Sequence, residues 1–270
     1  MMSIKAESIT LRYGAETIVE KMDLAVDKAD IVSIIGPNGS GKSTVLKALG
    51  RLLKPAGGIV FLDGKDIQTE KTGRVAQKLA ILPQTAVVPG DMTVYDLVCY
   101  GRMPYQKFFA PKSEEDLSRI EMAIGATGMA EMKFRRMDTL SGGERQRAWL
   151  SLAIAQNPKI LLLDEPTTFL DIHHQLEIMK LISHLHRKLS ITVIMVLHDL
   201  NHAARFSNRI IAVKKGAVMI DGGIGEVFRE EILGALYNVK TQIIKIRQNG
   251  EEHLYCLADD VCEGGPHERA

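Results

Sequence analysis

Hydrophobic positions change their spacing several times along the chain. Ile4–Leu11 and Thr17–Val26 alternate with a period near two, as half-buried strands do, and Asp30–Ile35 is a short β-branched run that ends in a glycine loop. Ser43–Leu53 then carries helix-spaced apolar residues up to Pro55 and the Gly57-Gly58 pair, which predict its end. Gly58–Leu62 and Lys78–Leu82 read as strands, whereas Met92–Gly101, Glu114–Ile124 and Glu144–Ala155 read as helices. Beyond Pro158 strand and helix alternate: Lys159–Leu163, Asp171–Leu189, Ile191–Leu197 and Leu200–Phe206. Such alternation predicts a parallel sheet covered by helices. Ile210–Ile220 turns at Lys215-Gly216 and Thr241–Leu257 turns at Asn249-Gly250, both hairpin patterns, with a peripheral helix expected over Gly225–Tyr237. No internal repeat or low-complexity linker divides the chain, so residues 1–270 are expected to form one domain with a helical subdomain inserted at about 89–156 and a hairpin and tail at about 241–270.

Composition narrows the possibilities. In 270 residues, 34 Lys+Arg face 33 Asp+Glu, so the overall basic excess of a protein held mainly by nucleic-acid backbone is missing. No apolar run reaches the roughly 18 to 20 residues of a spanning helix. The first residues contain no apolar leader core, and three cysteines do not make a disulfide framework, so a reducing, cytoplasmic compartment is expected.

The strongest chemistry lies in Gly36-Pro37-Asn38-Gly39-Ser40-Gly41-Lys42-Ser43, a phosphate-binding loop pattern between a buried strand and a helix. Backbone N–H groups and the helix N-terminus would converge there on polyphosphate. Lys42 would neutralise the outer phosphates, Ser43 would offer its hydroxyl to Mg²⁺, and Thr44 would bond an inner phosphate. A capping turn needs neither that lysine nor three glycines. A second constellation is the apolar strand Ile160–Leu163 delivering Asp164 and Glu165 at its C-terminal end. Asp164 is placed to support Mg²⁺, and Glu165, pointing the other way, to polarise an attacking water. The third is Leu140-Ser141-Gly142-Gly143-Glu144 at a helix start, whose N–H groups beside the Ser141 hydroxyl make another anion site.

That pentad, about twenty residues before the Asp-Glu strand, resembles the signature of ATP-binding cassette (ABC) ATPases. The other landmarks follow in order: Tyr13, Gln84, Thr167-Thr168-Phe169-Leu170-Asp171 and His198. Gly101-Arg102-Met103-Pro104, Ser113-Glu114-Glu115-Asp116 and Leu197-His198-Asp199-Leu200-Asn201 bring the resemblance closest to the ATPase subunits of iron-siderophore importers for ferrichrome, ferric enterobactin and ferric citrate. The likeness implies a P-loop α/β fold: a mostly parallel core sheet, an N-terminal antiparallel β subdomain and the inserted helices. It also implies ATP and Mg²⁺ as ligands. Tyr13 would stack on adenine; Lys42, Ser43 and Thr44 would grip phosphates and metal; Gln84 would sense Mg²⁺ and water; Glu165 would be the base; His198 would hold the γ-phosphate. Ser141, Gly142 and Gly143 would meet nucleotide bound to a second copy, with Asp171 at the seam of a homodimer. Transmembrane permease subunits would carry the load at the cytoplasmic face of the membrane, and an extracytoplasmic substrate-binding protein would deliver cargo. A vitamin B12 or haem importer, a soluble non-transport ABC ATPase and a small-molecule kinase are the competing readings. His173, His174, His184 and His186 are expected on a solvated helix surface, His253, Cys256, Cys262 and His267 fit no zinc spacing, and Arg135, Arg136, Arg145 and Arg147 alternate with acids as on a polar helix face.

Overall fold

A computed structural model of the chain describes residues 3–27, 30–84, 91–106, 111–248 and 250–262. In chain order the elements begin with strands β1 (Ile4–Tyr13), β2 (Glu16–Val26) and β3 (Ile31–Ile35), helix α1 (Lys42–Leu49), β4 (Gly57–Leu62), the short β5 (Lys65–Asp66), α2 (Thr72–Ala76) and β6 (Leu79–Leu82). The helices α3 (Val94–Tyr100), α4 (Glu114–Ala126) and α5 (Gly142–Ala155) follow. The chain continues through β7 (Ile160–Asp164), α6 (Ile172–Leu189), β8 (Thr192–Val196), α7 (Leu200–Phe206), β9 (Arg209–Lys214) and β10 (Ala217–Gly223). It closes with α8 (Ile224–Val227), α9 (Glu230–Tyr237), β11 (Val239–Gln248) and β12 (Glu251–Val261).

A six-stranded sheet in the order β10-β9-β3-β8-β7-β6 forms the centre, parallel except for the β9–β10 hairpin. Its strands β3, β7 and β8 are buried at every position, which is why they read as continuous apolar runs. Alternate residues still face different cores. Ile31, Ile35, Leu161, Leu163, Val193 and Met195 pack on one side with the helices α3 to α7. Val32, Ile34, Leu162, Ile194 and Val196 pack on the other with α1 and the antiparallel sheet β2-β1-β4-β5. The expected P-loop α/β architecture with an antiparallel β subdomain is therefore present.

The helices α3 to α5 lie in the crossover between β6 and β7, where the insertion at about 89–156 was expected; its first positions, 89 and 90, fall outside the described residues, as do tail residues 263–270, including His267. A buried ion pair ties the block together. Arg102 donates from Nε to Asp116 Oδ1 at 2.8 Å and from a terminal nitrogen to the Ala155 carbonyl at 2.9 Å. Asp116 also completes a capping box with Ser113 at the start of α4.

Two expected spans are corrected. The helix predicted over Ser43–Leu53 stops at Leu49: Gly50 is the cap, a Cβ there would meet Ile81 at 2.8 Å, and Arg51 turns left-handed with φ 61°. The helix predicted over Gly225–Tyr237 breaks at Phe228 and Arg229, where the buried Phe228 ring turns into the core and α9 begins anew.

Candidate nucleotide site and its relatives

Because β3, β8, β7 and β6 are parallel neighbours, their C-terminal ends share one edge of the sheet, where an open α/β sheet binds ligands. Each delivers one piece of the site: Gly36 after β3, His198 after β8, Asp164 and Glu165 from β7, and Gln84 after β6.

The loop from Gly36 to Gly41 is built on backbone that requires glycine. Gly36 has φ 149°, and a Cβ there would lie 2.0 Å from the Val213 carbonyl oxygen of β9. Gly39 and Gly41 have φ 74° and 98°. Pro37 and Asn38 form the tip with Gly39, and Ser40, almost fully buried, donates its N–H to the Pro37 carbonyl while its hydroxyl has no partner among the described residues. Lys42 curls back over the loop, donating from Nζ to the Gly36 and Pro37 carbonyls at 2.8 and 2.9 Å. Burial pulls its ammonium below the usual lysine range, against the charges of Glu165 and Asp164. A charged lysine short of solvation and held only by carbonyls is poised for an anion. The first turn of α1, with Lys42, Ser43 and Thr44, offers its free N–H groups to the same volume.

Ser43 donates its hydroxyl to Asp164 Oδ1 at 2.7 Å, and burial pushes the Asp164 carboxyl up. This hydroxyl and carboxylate are hard oxygen donors, and a divalent cation between them would relieve the desolvated acid, so the residues fit Mg²⁺. The Gln84 amide lies elsewhere: it donates to Glu165 Oε2 at 2.6 Å, not to Ser43 or Asp164, so of the three expected metal-side residues two are together here.

Glu165 is the most heavily partnered acid of the site. His198 Nε2 lies 2.5 Å from Oε1, and the Thr168 hydroxyl donates to Oε2 at 3.0 Å beside Gln84. Its backbone is left-handed at φ 51°, a conformation that costs a non-glycine residue about 1 to 3 kcal/mol. Thr168, to which its motif assigns no role by sequence alone, is fixed three residues after Glu165 by its N–H donation to the Glu165 carbonyl.

The signature residues point into different company. Ser141 caps α5 in a capping box with Glu144, whose carboxyl is held below the usual range by the Ser141 backbone N–H. Gly142 lies against Leu170, and a Cβ on Gly143 would meet the His174 ring at 2.4 Å. His174 also bonds Asp171 Oδ1 at 2.9 Å, and Asp171 caps α6. His174 therefore packs against the signature and the Asp171 turn on the partly solvated surface of α6, its side chain 32% accessible. Exposed beside that turn stand Phe169 and Ile172, 91% and 76% accessible. Tyr13, half exposed, ends β1 in the antiparallel sheet.

Residues 19–168, more than half the chain, match the ABC transporter family model. The chain belongs to that family. Over 90% of its length it is 45% identical to the iron(3+)-hydroxamate import ATP-binding protein of Bacillus subtilis, covering 91% of that protein. It is 42% identical to the ferric enterobactin transport ATP-binding protein of Escherichia coli, covering 89% of each chain. Among solved structures, the dimeric post-hydrolysis state of an ATP-binding cassette bound to ADP and Pi superposes with a TM-score of 0.70 at 30% identity, covering 82% of this chain and 98% of that one. This ABC ATPase binds and hydrolyses ATP, as its family does. Among its described residues no helix is long and apolar enough to cross a membrane.

Proposed function

We propose that this ABC ATPase drives the import of iron-siderophore complexes, acting as a homodimer at the cytoplasmic face of the cell membrane beneath separate transmembrane permease subunits. The observation that carries the cargo is the pair of relatives named for iron-hydroxamate and ferric-enterobactin transport, each aligned over about nine tenths of both chains. Vitamin B12 and haem remain the alternative cargoes.

In this reading Lys42, Thr44 and the amides from Gly39 to Ser43 hold the phosphates, and Tyr13 stacks on the base. Ser43 and Asp164 hold Mg²⁺, whose chemistry is to neutralise phosphate charge. Glu165 accepts the proton of the attacking water while Gln84 and Thr168 fix one carboxylate oxygen and His198 the other. Ser141, Gly142 and Gly143 complete the site of a second copy; within one chain Ser141 pairs with Glu144, Gly142 lies against Leu170 and Gly143 against His174 of α6. The exposed Phe169 and Ile172 beside Asp171 supply apolar surface for that seam.

Support for a membrane partner comes from a cleft of about 500 Å³ in the helical block, where Met92, Tyr95, Cys99, Tyr100 and Met103 stand beside the polar Asp91, Asp96, Gln106 and Lys112. The exposed Tyr100 ring and Met103 thioether beside these charged groups suit an amphipathic docking segment. A substrate-binding protein would act on the far side of the permease. Uptake of defined iron chelates by a strain lacking this chain tests the proposal. Loss of ferric-siderophore uptake with intact vitamin B12 and haem uptake is expected, and normal iron-chelate uptake contradicts it.

A further inference from the structure

Gly36 is gripped on every side. Its Cα packs on the Val213 carbonyl, its own carbonyl accepts from Lys42 Nζ, and its N–H, which has left the sheet, donates to the Tyr237 hydroxyl at 3.0 Å. Tyr237 ends α9 and lies 201 residues further along the chain. Burial pushes its phenol up to about 12, so the hydroxyl stays neutral and keeps its acceptor geometry across the physiological range.

The helix carrying Tyr237 is anchored in turn. Lys214 of β9 donates to the Ala235 carbonyl, and Glu230 receives the Thr241 hydroxyl at 3.3 Å and the Ile243 N–H at 3.0 Å from β11. Its hairpin partner β12 then reaches α7. The Asn201 side-chain amide pairs with the Cys256 backbone in both directions, accepting from its N–H at 2.8 Å and donating to its carbonyl at 3.4 Å. Asn201 stands three residues after His198, on the first turn of the helix that the histidine loop enters.

We propose that α9 and the β11–β12 hairpin form a brace that positions the two ends of the nucleotide site, with Tyr237 setting the phosphate loop through Gly36 and Asn201 setting the segment that presents His198. Both are positioning residues. Removing the Tyr237 hydroxyl orphans the Gly36 N–H, and the loop then relaxes at the residue whose carbonyl parks Lys42. Removing the Asn201 amide frees the first turn of α7 without touching nucleotide. The brace rests on the phosphate-loop reading of Lys42 and Gly36.

The test uses the full chain, equilibrium titration with a fluorescent ATP analogue, single-turnover hydrolysis and thermal unfolding without nucleotide. Tyr237→Phe is expected to weaken analogue binding about five- to tenfold, whereas Asn201→Ala is expected to leave binding unchanged and slow single turnover by a similar factor. In a His198→Ala background, Asn201→Ala is expected to add no further loss. A merely structural role would lower the unfolding midpoint and leave both the affinity and the rate of the folded fraction as they were. Binding within twofold of wild type in Tyr237→Phe overturns the brace, provided Lys42→Ala weakens binding in the same assay; if Lys42→Ala also binds normally, the phosphate-loop reading has failed instead. Should Tyr237→Phe not fold, Asn201→Ala decides: unchanged turnover overturns the proposal, and slowed turnover that is additive with His198→Ala does so too.

Discussion

Replacing Glu165 by glutamine removes one charge from a position where three donors converge on two oxygens. The amide oxygen of the variant has one place to go. Gln84 and Thr168 both donate to Oε2, so the oxygen settles there and the new NH₂ turns toward His198. His198 must then accept at Nε2 and carry its proton on Nδ1, the opposite tautomer from one donating to a carboxylate. The pocket therefore keeps its hydrogen bonds while losing the proposed base. A positioned general base is worth about a hundred- to ten-thousandfold in rate, or about 2.7 to 5.4 kcal/mol of barrier. Because Lys42, Ser43 and the loop amides are untouched, ATP affinity is expected to hold within about threefold. Phosphate release at saturating ATP measures the rate, and light scattering with ATP and Mg²⁺ measures the dimer, which should accumulate as hydrolysis stalls. Turnover within threefold of wild type, with the protein folded and nucleotide bound, would refute the assignment of Glu165.

Further perturbations separate the remaining elements. Lys42→Ala removes the one ammonium inside the loop and is expected to weaken ATP binding at least tenfold; normal affinity in a direct titration would count against the cradle. Ser141→Arg places a bulky cation at the start of α5 and should block ATP-driven association while each copy still binds ATP, so a dimer of normal stability by sedimentation would contradict the shared site. Asp116→Asn leaves Arg102 buried without its counter-charge, and breaking such a pair costs about 3 to 5 kcal/mol. Burial alone would raise the Asp116 carboxyl, but the bonds from Arg102 and Ser113 outweigh it and hold it below the usual carboxylate range. Its contribution is therefore complete above the ordinary carboxylate value near pH 4 and fades as pH falls through the lower folded value. The gap in unfolding free energy between wild type and Asp116→Asn should be widest at neutral pH and close in acid; a gap that grows as pH falls would show the sign to be wrong.

Much of the frame was legible because it follows from local chemistry. The runs of β3, β7 and β8 are apolar throughout, as strands buried on both faces must be, and Leu200–Phe206 coincides with α7 because Asp199 caps it and Ser207 ends it. The loop from Gly36 to Lys42 announces itself through spacing alone. The early end of α1 was not legible, because Pro55 and Gly57 look like stronger breakers than Gly50, whose reason for being glycine is Ile81 on a strand not yet formed. The residues around Gly143 were similarly opaque: His174 sits on an exposed-looking turn of α6 and reveals its packing only when α5 arrives against it. Least visible of all was Tyr237, since no pattern within α9 points to an N–H two hundred residues upstream. Local rules and the family resemblance therefore name the candidate nucleotide residues, and tertiary contacts supply the groups that hold them.

The sharing of one nucleotide between two copies is the claim on which the proposed mechanism stands. Its most direct measurement is a crystal structure of the Glu165→Gln chain with ATP and Mg²⁺. The expected result is a dimer in which the γ-phosphate lies against Lys42 of one copy and within hydrogen-bond distance of Ser141 and Gly143 of the other. A γ-phosphate enclosed by one copy alone, with Ser141 of both copies facing solvent, would contradict it.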